Sequence, residues 1–549
     1  MMTEETIEQK IARLSSIKPG DSDYAESQFR LGIVSELTKK EFDTAINYYQ
    51  NVRKEDNAEY FAKAQFRLGI IFELKKKELD TAIHYYQNVR QEDSEEGFAR
   101  AQIRLGLIFE IKKKELDTAI GYYKKAIQKD DFECYVLAQY CLGRIYLEKE
   151  NNEEAKKHYN NVSYIKNGFN LYTEAQIALF FLSNKTDKPI KLGEIGQATK
   201  SINNIYQFCG KIRNQSLVRF DKNNHYEQTI AHYTNPNVLF LLLKQASLFR
   251  LNLVDFMNDP SENKVLLNWL NIDPSQTNPD IKNFVASFSF NHNSLNQFRL
   301  YGLEGNQPGS GVSLTFKKDF FCDELDKSID LQAITKSPQK LMNSDTVSDQ
   351  QSNRNLTIFP LPLYRCIYFD PNTNYLALAK RSKQSFYLEY KSEKPDEIDK
   401  KWQGYLTSLE EEQKLTDIRE QLDKVQTEIK KLRELIDKNE WQITLKDINQ
   451  LIALATMPIA SLVKHAAFED ENECRIFYVT DIGDDKVKIG EQFDLCQQIY
   501  LEYGDISTYL DKIYLGPKCQ PQHKLWLENH NKKRKLNINR IVQSVMPLQ

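Results

Sequence analysis

The chain has 549 residues, a formal net charge of −3 and 28% charged residues. That length exceeds what one hydrophobic core organises, so more than one domain is expected. The near-balance of charge gives no general attraction to nucleic acid or to anionic membrane, so a nucleic-acid partner is not expected. The basic run KKRK, from Lys532 to Lys535, reads as a solvated turn. No apolar run of about 18 residues occurs, and the opening MMTEETIEQK has no hydrophobic segment. The expectation is a soluble, cytoplasmic protein with no membrane partner. The eight cysteines include no CxxC pair and the eight histidines no HExxH or HxxxH spacing, so no metal site has sequence support.

The chain opens on a repeat. Gly32, Gly69, Gly106 and Gly143 recur at a constant interval of 37 residues (32 to 69, 69 to 106, 106 to 143), within SQFRLG, AQFRLG, AQIRLG and AQYCLG. A fading copy, AQIALF, runs from Ala175 to Phe180. A second phrase follows each of the first four: DTAINYY, DTAIHYY, DTAIGYY and EEAKKHY, ending at Tyr49, Tyr86, Tyr123 and Tyr159. The spacing predicts helix, turn, helix, with the first phrase opening its helix and the small residues at close helix approaches. One such pair cannot bury its apolar stripe alone, so the copies must stack. These residues resemble tetratricopeptide and Sel1-like repeats over about residues 20 to 185. The resemblance implies an α-solenoid over 1–185 whose groove binds a protein or peptide partner; the plainer alternative is a spacer or dimerisation arm.

A helical linker is expected over 186–227, helical around Ile195 to Arg213. Beyond it the texture becomes α+β, over 228–549, with strand-like runs at Ser247 to Leu253, Phe284 to Phe290, Gly311 to Phe316, Leu363 to Phe369 and Cys474 to Thr480. The polar stretch 335–356 reads as a mobile surface loop. Leu415, Ile418, Leu422, Val425, Ile429, Leu432 and Ile436 step by alternating threes and fours, a heptad seam. It predicts a helical hairpin insertion over 398–465 that projects from the domain. The seam's partner is either the apolar stretch Ile443 to Ala467 or the same seam of a second chain, which would make a homo-oligomer.

Four segments combine polar and aromatic residues beyond what a core needs: His232-Tyr233-Thr234 with MNDPSEN (Met257 to Asn263), SFSFNHNSLNQFRLYG (Ser287 to Gly302), KHAAFEDENECR (Lys464 to Arg475), and YLGPK (Tyr514 to Lys518) with SVMP (Ser544 to Pro547). In this order they resemble a widespread bacterial domain family without an agreed biochemistry. They also resemble the three-part signature of ADP-ribosyltransferases. That second resemblance implies His232 as the first element, Ser287 and Ser289 as the second, and Glu471 and Glu473 as the third. It implies NAD as substrate, held by His232, Tyr233, Ser287, Ser289, Arg299 and Tyr301. A glutamate, Glu473 or Glu471, would bond the ribose 2′-hydroxyl and stabilise the oxocarbenium character that develops as nicotinamide leaves, with His232 beside it.

Plainer readings stand beside these. SFS is an ordinary alternating strand, ENE an acidic turn, and His232 precedes a helix start that Thr234, Asn235 and Pro236 would cap. Arg299 and Arg475 are candidates for anion contacts or for ion pairs with Glu473. GLEGNQPGSG lacks the GxxxxGK[ST] of a triphosphate loop, and no Gly-x-Ser-x-Gly elbow or cysteine nucleophile context is present. The combined expectation is a repeat array joined to an NAD-using, ADP-ribosyltransferase-like effector, an arrangement seen in bacterial stress and phage-defence proteins. The alternative is a non-catalytic adaptor with two protein-binding surfaces.

Overall fold

The computed structural model describes residues 7–38, 40–165, 168–183, 192–220, 226–227, 229–244, 247–256, 264–301, 307–322, 358–438, 445–490, 498–534, 538 and 540–546. The expected loop 335–356 and the MNDPSEN segment lie outside these residues. The chain separates into two compact units at Ile195/Gly196, within the stretch expected as a linker.

The N-terminal unit is helical: α1 (Ile7–Ser15), α2 (Tyr24–Ile33), α3 (Phe42–Gln50), α4 (Ala58–Ile70), α5 (Leu79–Gln87), α6 (Glu95–Leu107), α7 (Leu116–Tyr123), α8 (Phe132–Glu148), α9 (Asn152–Tyr159) and α10 (Phe169–Ser183). Helices α4, α6 and α8 start where Asn57, Ser94 and Asp131 accept the N–H of Tyr60, Gly97 and Cys134, each satisfying one of the donors that a helix start leaves without a partner. The leucine-glycine phrase therefore does not open its helix. It lies one to two turns inside, because the caps are upstream of it. The first helix of the first three pairs ends in a π-type turn (Val34–Thr38, Ile71–Lys76, Ile108–Lys112), and a residue with positive φ follows (Lys40, Lys77, Lys114), as Glu150 does after α8.

Each repeat glycine is small for one reason. A Cβ on Gly32, Gly69 or Gly106 would stand 2.4 Å from the ring of Tyr49, Tyr86 or Tyr123, and one on Gly143 would stand 2.7 Å from Tyr159. The buried phenols of the first three donate to a carboxylate of the same pair: Tyr49 to Glu36 at 2.7 Å, Tyr86 to Glu73 and Tyr123 to Glu110 at 2.6 Å. Burial, then the facing Glu73, holds the Tyr86 phenol well above its ordinary value, so it stays a donor. An arginine of the following pair approaches each carboxylate: Arg67 Nε donates to Glu36 at 3.0 Å, Arg104 lies 3.6 Å from Glu73, and Arg144 pairs with Glu110. Neighbouring pairs are thus joined through a buried charge that one pair alone would leave uncompensated.

The division falls inside α11 (Leu192–Ser216), and the C-terminal unit continues from that helix into a mixed sheet of β1 (Ile230–Thr234), β2 (Arg250–Leu253), β3 (Ile281–Ser289), β4 (Val312–Phe316), β5 (Tyr364–Arg365), β9 (Glu473–Asp481), β10 (Val487–Ile489), β11 (Ile499–Glu502), β12 (Leu510–Leu515) and β13 (Arg540–Gln543). A smaller sheet holds β6 (Ile367–Asp370) between β7 (Tyr375–Leu378) and β8 (Val463–His465). Strand β3 is the branch point. One edge pairs along its whole length with β9, and the other pairs with β2 at Phe284 and Val285 and with β1 at Ser289. One face of the large sheet carries the main core, with Ile230, Phe284, Ala286, Phe288, Val312, Leu314, Cys474, Ile476 and Ile513 among its residues.

The heptad helix, Glu411–Lys438, does not project. Ile418, Leu422, Val425, Ile429, Leu432 and Ile436 are buried within this chain. Ile418 and Leu422 line one interior space with Ile212 of α11 and with Ile367, Phe369 and Leu376 of the small sheet. Glu428 accepts from Ser201 at 3.0 Å and Asn204 at 3.3 Å, and Asp417 from Gln215 at 2.9 Å. The seam is therefore covered within this chain. The next helix, Leu445–Ala460, buries Ile448, Leu451, Ile452, Leu454, Ala455 and Ile459, the pattern of a helix enclosed on all sides.

Gly69→Ala drives a methyl into the Tyr86 ring and is expected to cost about 1–3 kcal/mol by overpacking. At Gly121 on α7, nothing lies within 4 Å of where a Cβ would stand, so Gly121→Ala is expected to be neutral or to add up to about 1 kcal/mol from helix propensity. Urea denaturation of the two full-length variants beside wild type checks the pair; equal effects would contradict the close-packing account.

Candidate functional site

Strand parity decides which candidate residues can meet. Side chains alternate between faces along a strand, and paired residues of antiparallel neighbours share a face. Ser287 pairs with Arg475, Ser289 with Glu473 and with Ala231, and Tyr233 with Ser313. Ser287, Ser289, Glu473, Arg475, Ala231, Tyr233 and Ser313 therefore share the face opposite the phenylalanine core.

Glu473 is the centre of this polar face. Its carboxylate accepts from Lys464 Nζ at 2.7 Å and from Arg475 through Nε at 2.7 Å and Nη2 at 3.1 Å. Its backbone N–H donates to the Tyr368 hydroxyl at 2.8 Å. Arg475 Nη1 donates to the Ser461 carbonyl at 2.6 Å. Burial by itself would raise the Glu473 carboxyl, but the attraction of Arg475 and then Lys464 outweighs it and brings the group down to about 2. Glu471 shares Lys464, at 2.7 Å, and faces the Tyr301 hydroxyl at 3.5 Å. Burial shifts Glu471 the other way, upward, against the pull of Lys464. Ser289 Oγ donates to the Glu471 carbonyl at 2.9 Å and accepts the Asn291 N–H at 3.1 Å. Beside this network, Tyr233 packs with Ala231 and Phe298 in a cluster that Tyr301 and Tyr514 join. The Tyr233 hydroxyl donates to the Asn291 carbonyl at 2.6 Å and accepts the Ser294 N–H at 2.9 Å.

Two expected members are elsewhere. His232 falls on the core face: it pairs with Leu314, its ring lies edge-on to Phe249 at 5.0 Å and tilted on Phe288 at 5.7 Å, and Nδ1–H donates to the Ser287 carbonyl at 2.9 Å. Burial lowers its basicity, against the pull of that carbonyl, so the ring is neutral at physiological pH. It cannot face the Glu473 carboxylate, because the sheet lies between them. The helix start after it is capped by Asn235, whose side chain accepts the Val238 N–H at 2.8 Å, and not by Thr234, which ends β1. Arg299 is exposed on the short helix Leu295–Leu300 and is not a member of the network. Of the proposed ligand-holding set, the polar face keeps Tyr233, Ser287, Ser289 and Tyr301 with Glu471 and Glu473.

Lys464 and Tyr368 both bond to Glu473, although the sequence assigns neither of them a role beside that carboxylate. Lys464 stands in the KH phrase on β8, a strand of the small sheet; nothing local marks it as a ligand of a carboxylate on β9. Also unrecognised was His292, buried, with its ring 4.9 Å from Tyr514. Burial, then Arg381 and Lys512, hold it down at about 3. A second buried charge group joins Arg365, Glu227 and Tyr405: Tyr405 donates to Glu227 at 2.7 Å, and Arg365 pairs with Glu227 and lies over the Phe290 ring at 4.7 Å.

Among the described residues, no group of three or more His, Cys, Asp or Glu is placed to hold a metal ion, and no helix is long and apolar enough to cross a membrane. The chain matches no family model, no curated protein and no solved structure.

The network has a defined pH signature. The Glu473 carboxyl is depressed in the fold to about 2, against about 4.3 for an unstrained glutamate. Its contribution is therefore complete above the unfolded value and is lost as pH falls from about 4 toward 2. Glu473→Gln leaves Arg475 and part of Lys464 uncompensated and is expected to cost about 3–5 kcal/mol at neutral pH, with the gap from wild type closing toward pH 2. Glu471, raised by burial, has the opposite sign, so Glu471→Gln is expected to cost less. Urea midpoints across that pH range compare the two.

Proposed function

We propose that this chain is a non-catalytic docking protein. In this reading the N-terminal helix pairs form an α-solenoid of tetratricopeptide or Sel1-like type that binds a protein or peptide, and the α+β unit supplies a second binding surface. The observation that carries the choice is the separation of His232 from Glu473 by the thickness of the sheet, together with the two cations that occupy the Glu473 carboxylate. A carboxylate bonded on both oxygens to Lys464 and Arg475 has little capacity left for a ribose hydroxyl.

The repeats support the docking half. The positions that hold one pair to the next recur from copy to copy: the glycine and the buried tyrosine in all four, and the carboxylate beneath the tyrosine in the first three. The residue two before that tyrosine is exposed in every copy and differs in each: Asn47, His84, Gly121 and Lys157. Residues relieved of structural duty are where a repeat array can encode a partner.

The effector reading retains one supporting observation. Glu471 is only partly buried, is shifted upward, and shares its face with Ser287, Ser289 and Tyr301. NAD remains the substrate class it implies.

Incubating the full-length protein with NAD is expected to release no nicotinamide above the level of Glu471→Gln. A photo-crosslinking residue placed at Asn47, His84 or Lys157 is expected to capture the same discrete protein at each position, and one placed at Asn529 on the last helix is expected not to. NAD loss that disappears in Glu471→Gln would replace the docking reading with the enzymatic one.

A further inference from the structure

Strand β9 is covered along only part of its outer edge. Cys366 N–H donates to the Glu473 carbonyl at 3.0 Å from the β5 side, while on the β3 side Phe290 N–H donates to the Asn472 carbonyl at 3.1 Å and Ile482 N–H to the Asp280 carbonyl at 2.7 Å. Backbone groups alternate in direction along a strand, so Arg475, Phe477, Val479 and Asp481 turn theirs outward, away from β3. Strand β5 meets only the start of this edge, with Tyr364 opposite Arg475 and Arg365 opposite Cys474. The next rung would set Pro362 opposite Phe477. Proline has no N–H to give, and the chain turns away there, Leu361 N–H donating to the Tyr503 hydroxyl at 2.8 Å. Among the described residues, no hydrogen bond meets the outward groups of Phe477 or Val479.

Exposure follows the same line. Asn283, Phe284 and Val285 on β3 are buried, whereas their partners Val479, Tyr478 and Phe477 are each partly exposed, although these side chains alternate between the two faces. The run Phe477-Tyr478-Val479-Thr480 is aromatic and β-branched, with none of the lysines, prolines or bulges that keep sheet edges from pairing. The β10 edge has such a guard, being three residues long with Lys488 at its centre. At the end of β9 the charge is mainly negative. Asp280, Asp481 and Asp485 are all at least partly exposed there. Asp484 accepts from Thr480 Oγ1 at 2.6 Å and is offset by Lys486 at 3.4 Å, while Lys488 Nζ reaches the Asp485 backbone carbonyl at 3.4 Å.

We propose that the outer edge of β9, from Phe477 to Asp481, binds an extended peptide segment of a partner protein, which adds as an antiparallel strand in line with β5. This gives the second binding surface of the docking reading its place, and it rests on that reading. The N–H and C=O groups of every second peptide residue pair with those of Phe477 and Val479. Antiparallel pairing sets the N-terminal end of the segment beside Asp280, Asp481 and Asp485, so the segment carries lysine or arginine there, followed by β-branched or aromatic residues and no proline. The free edge is about 17 Å long. A strand contact of that length alone falls short of the roughly 800 Å² per partner that a stable dimer buries, so a short peptide suits the edge and a second copy does not.

The probe is a fluorescein-labelled synthetic peptide, Lys-Lys-Val-Thr-Val-Thr-Val, titrated with the full-length protein and read by anisotropy. Saturable binding with a Kd of about 10–100 μM is expected for a short contact made mainly by backbone. The same peptide with every residue after the lysines N-methylated loses its donors and is expected to bind at least about tenfold more weakly. Val479→Pro removes an outward donor while leaving the β3 pairing in place, because that N–H points away from β3, and is expected to weaken the probe at least about tenfold. Hydrogen exchange read by mass spectrometry is expected to slow across residues 476–481 when the probe is bound. Absence of saturable binding up to about 1 mM, equal affinity for the methylated peptide, or protection confined to other segments overturns the proposal. Should Val479→Pro fail to fold, the methylated peptide and the exchange measurement decide. A sedimenting dimer that Val479→Pro disperses assigns the edge to a second copy and overturns it as well. NAD turnover removes the docking reading without changing the peptide titration, and failed peptide binding leaves the repeat crosslinks as they stand, so the two failures are distinct.

Discussion

The two-residue alternation of β3 is the constraint on which the C-terminal unit depends. One set of its side chains, Phe284, Ala286 and Phe288, enters the main core, and the other, Ser287 and Ser289, meets the charge network of β9. Because β3 pairs with β9 on one edge and with β2 and β1 on the other, its parity is imposed on all of them. A shift of one residue would place Glu473 and Arg475 among phenylalanines, where neither charge has a partner. The network of Lys464, Glu471, Glu473 and Arg475 thus specifies register as much as it supplies stability.

The N-terminal unit depends on a different coupling. Glycine admits the tyrosine ring, the ring directs its hydroxyl at a carboxylate, and the carboxylate receives an arginine from the next pair. Each step requires the preceding one, and the last reaches outside the pair, so the array holds together by contacts between neighbours. Lysines on the turns add surface pairs, Lys76 with Asp43 at 2.6 Å and Lys113 with Asp80 at 2.8 Å, but such solvated pairs contribute little.

Much of the architecture was legible. Repeat period, helix pairing, the α11 region and the main strand runs follow from local signals, and the structure places helices and strands there with shifted ends. The leucine-glycine phrase was misplaced within its helix because the caps upstream vary between Asn57, Ser94 and Asp131. The heptad seam was recognised as an apolar face in need of cover, but its cover comes from α11 and from the small sheet, over 200 positions away in the case of Glu428 and Ser201. The shared face of Ser289 and Glu473 joins residues from two distant segments. The KH phrase likewise offered no sign that its lysine would bridge two carboxylates on a neighbouring element.

By itself the amino-acid order determined what repeats: the helix pairs, the glycines set against aromatic rings, and the alternation of each strand. These are short-range properties, set by side-chain size and by the periods of helix and strand. Only the tertiary structure decided which faces coincide. Alternation says that His232 and Tyr233 point opposite ways, but not which of them shares a side with Glu473. That choice is made by hydrogen-bonded register between strands far apart in the chain, and it separates the imidazole from the carboxylate while bringing Lys464 and Arg475 to it.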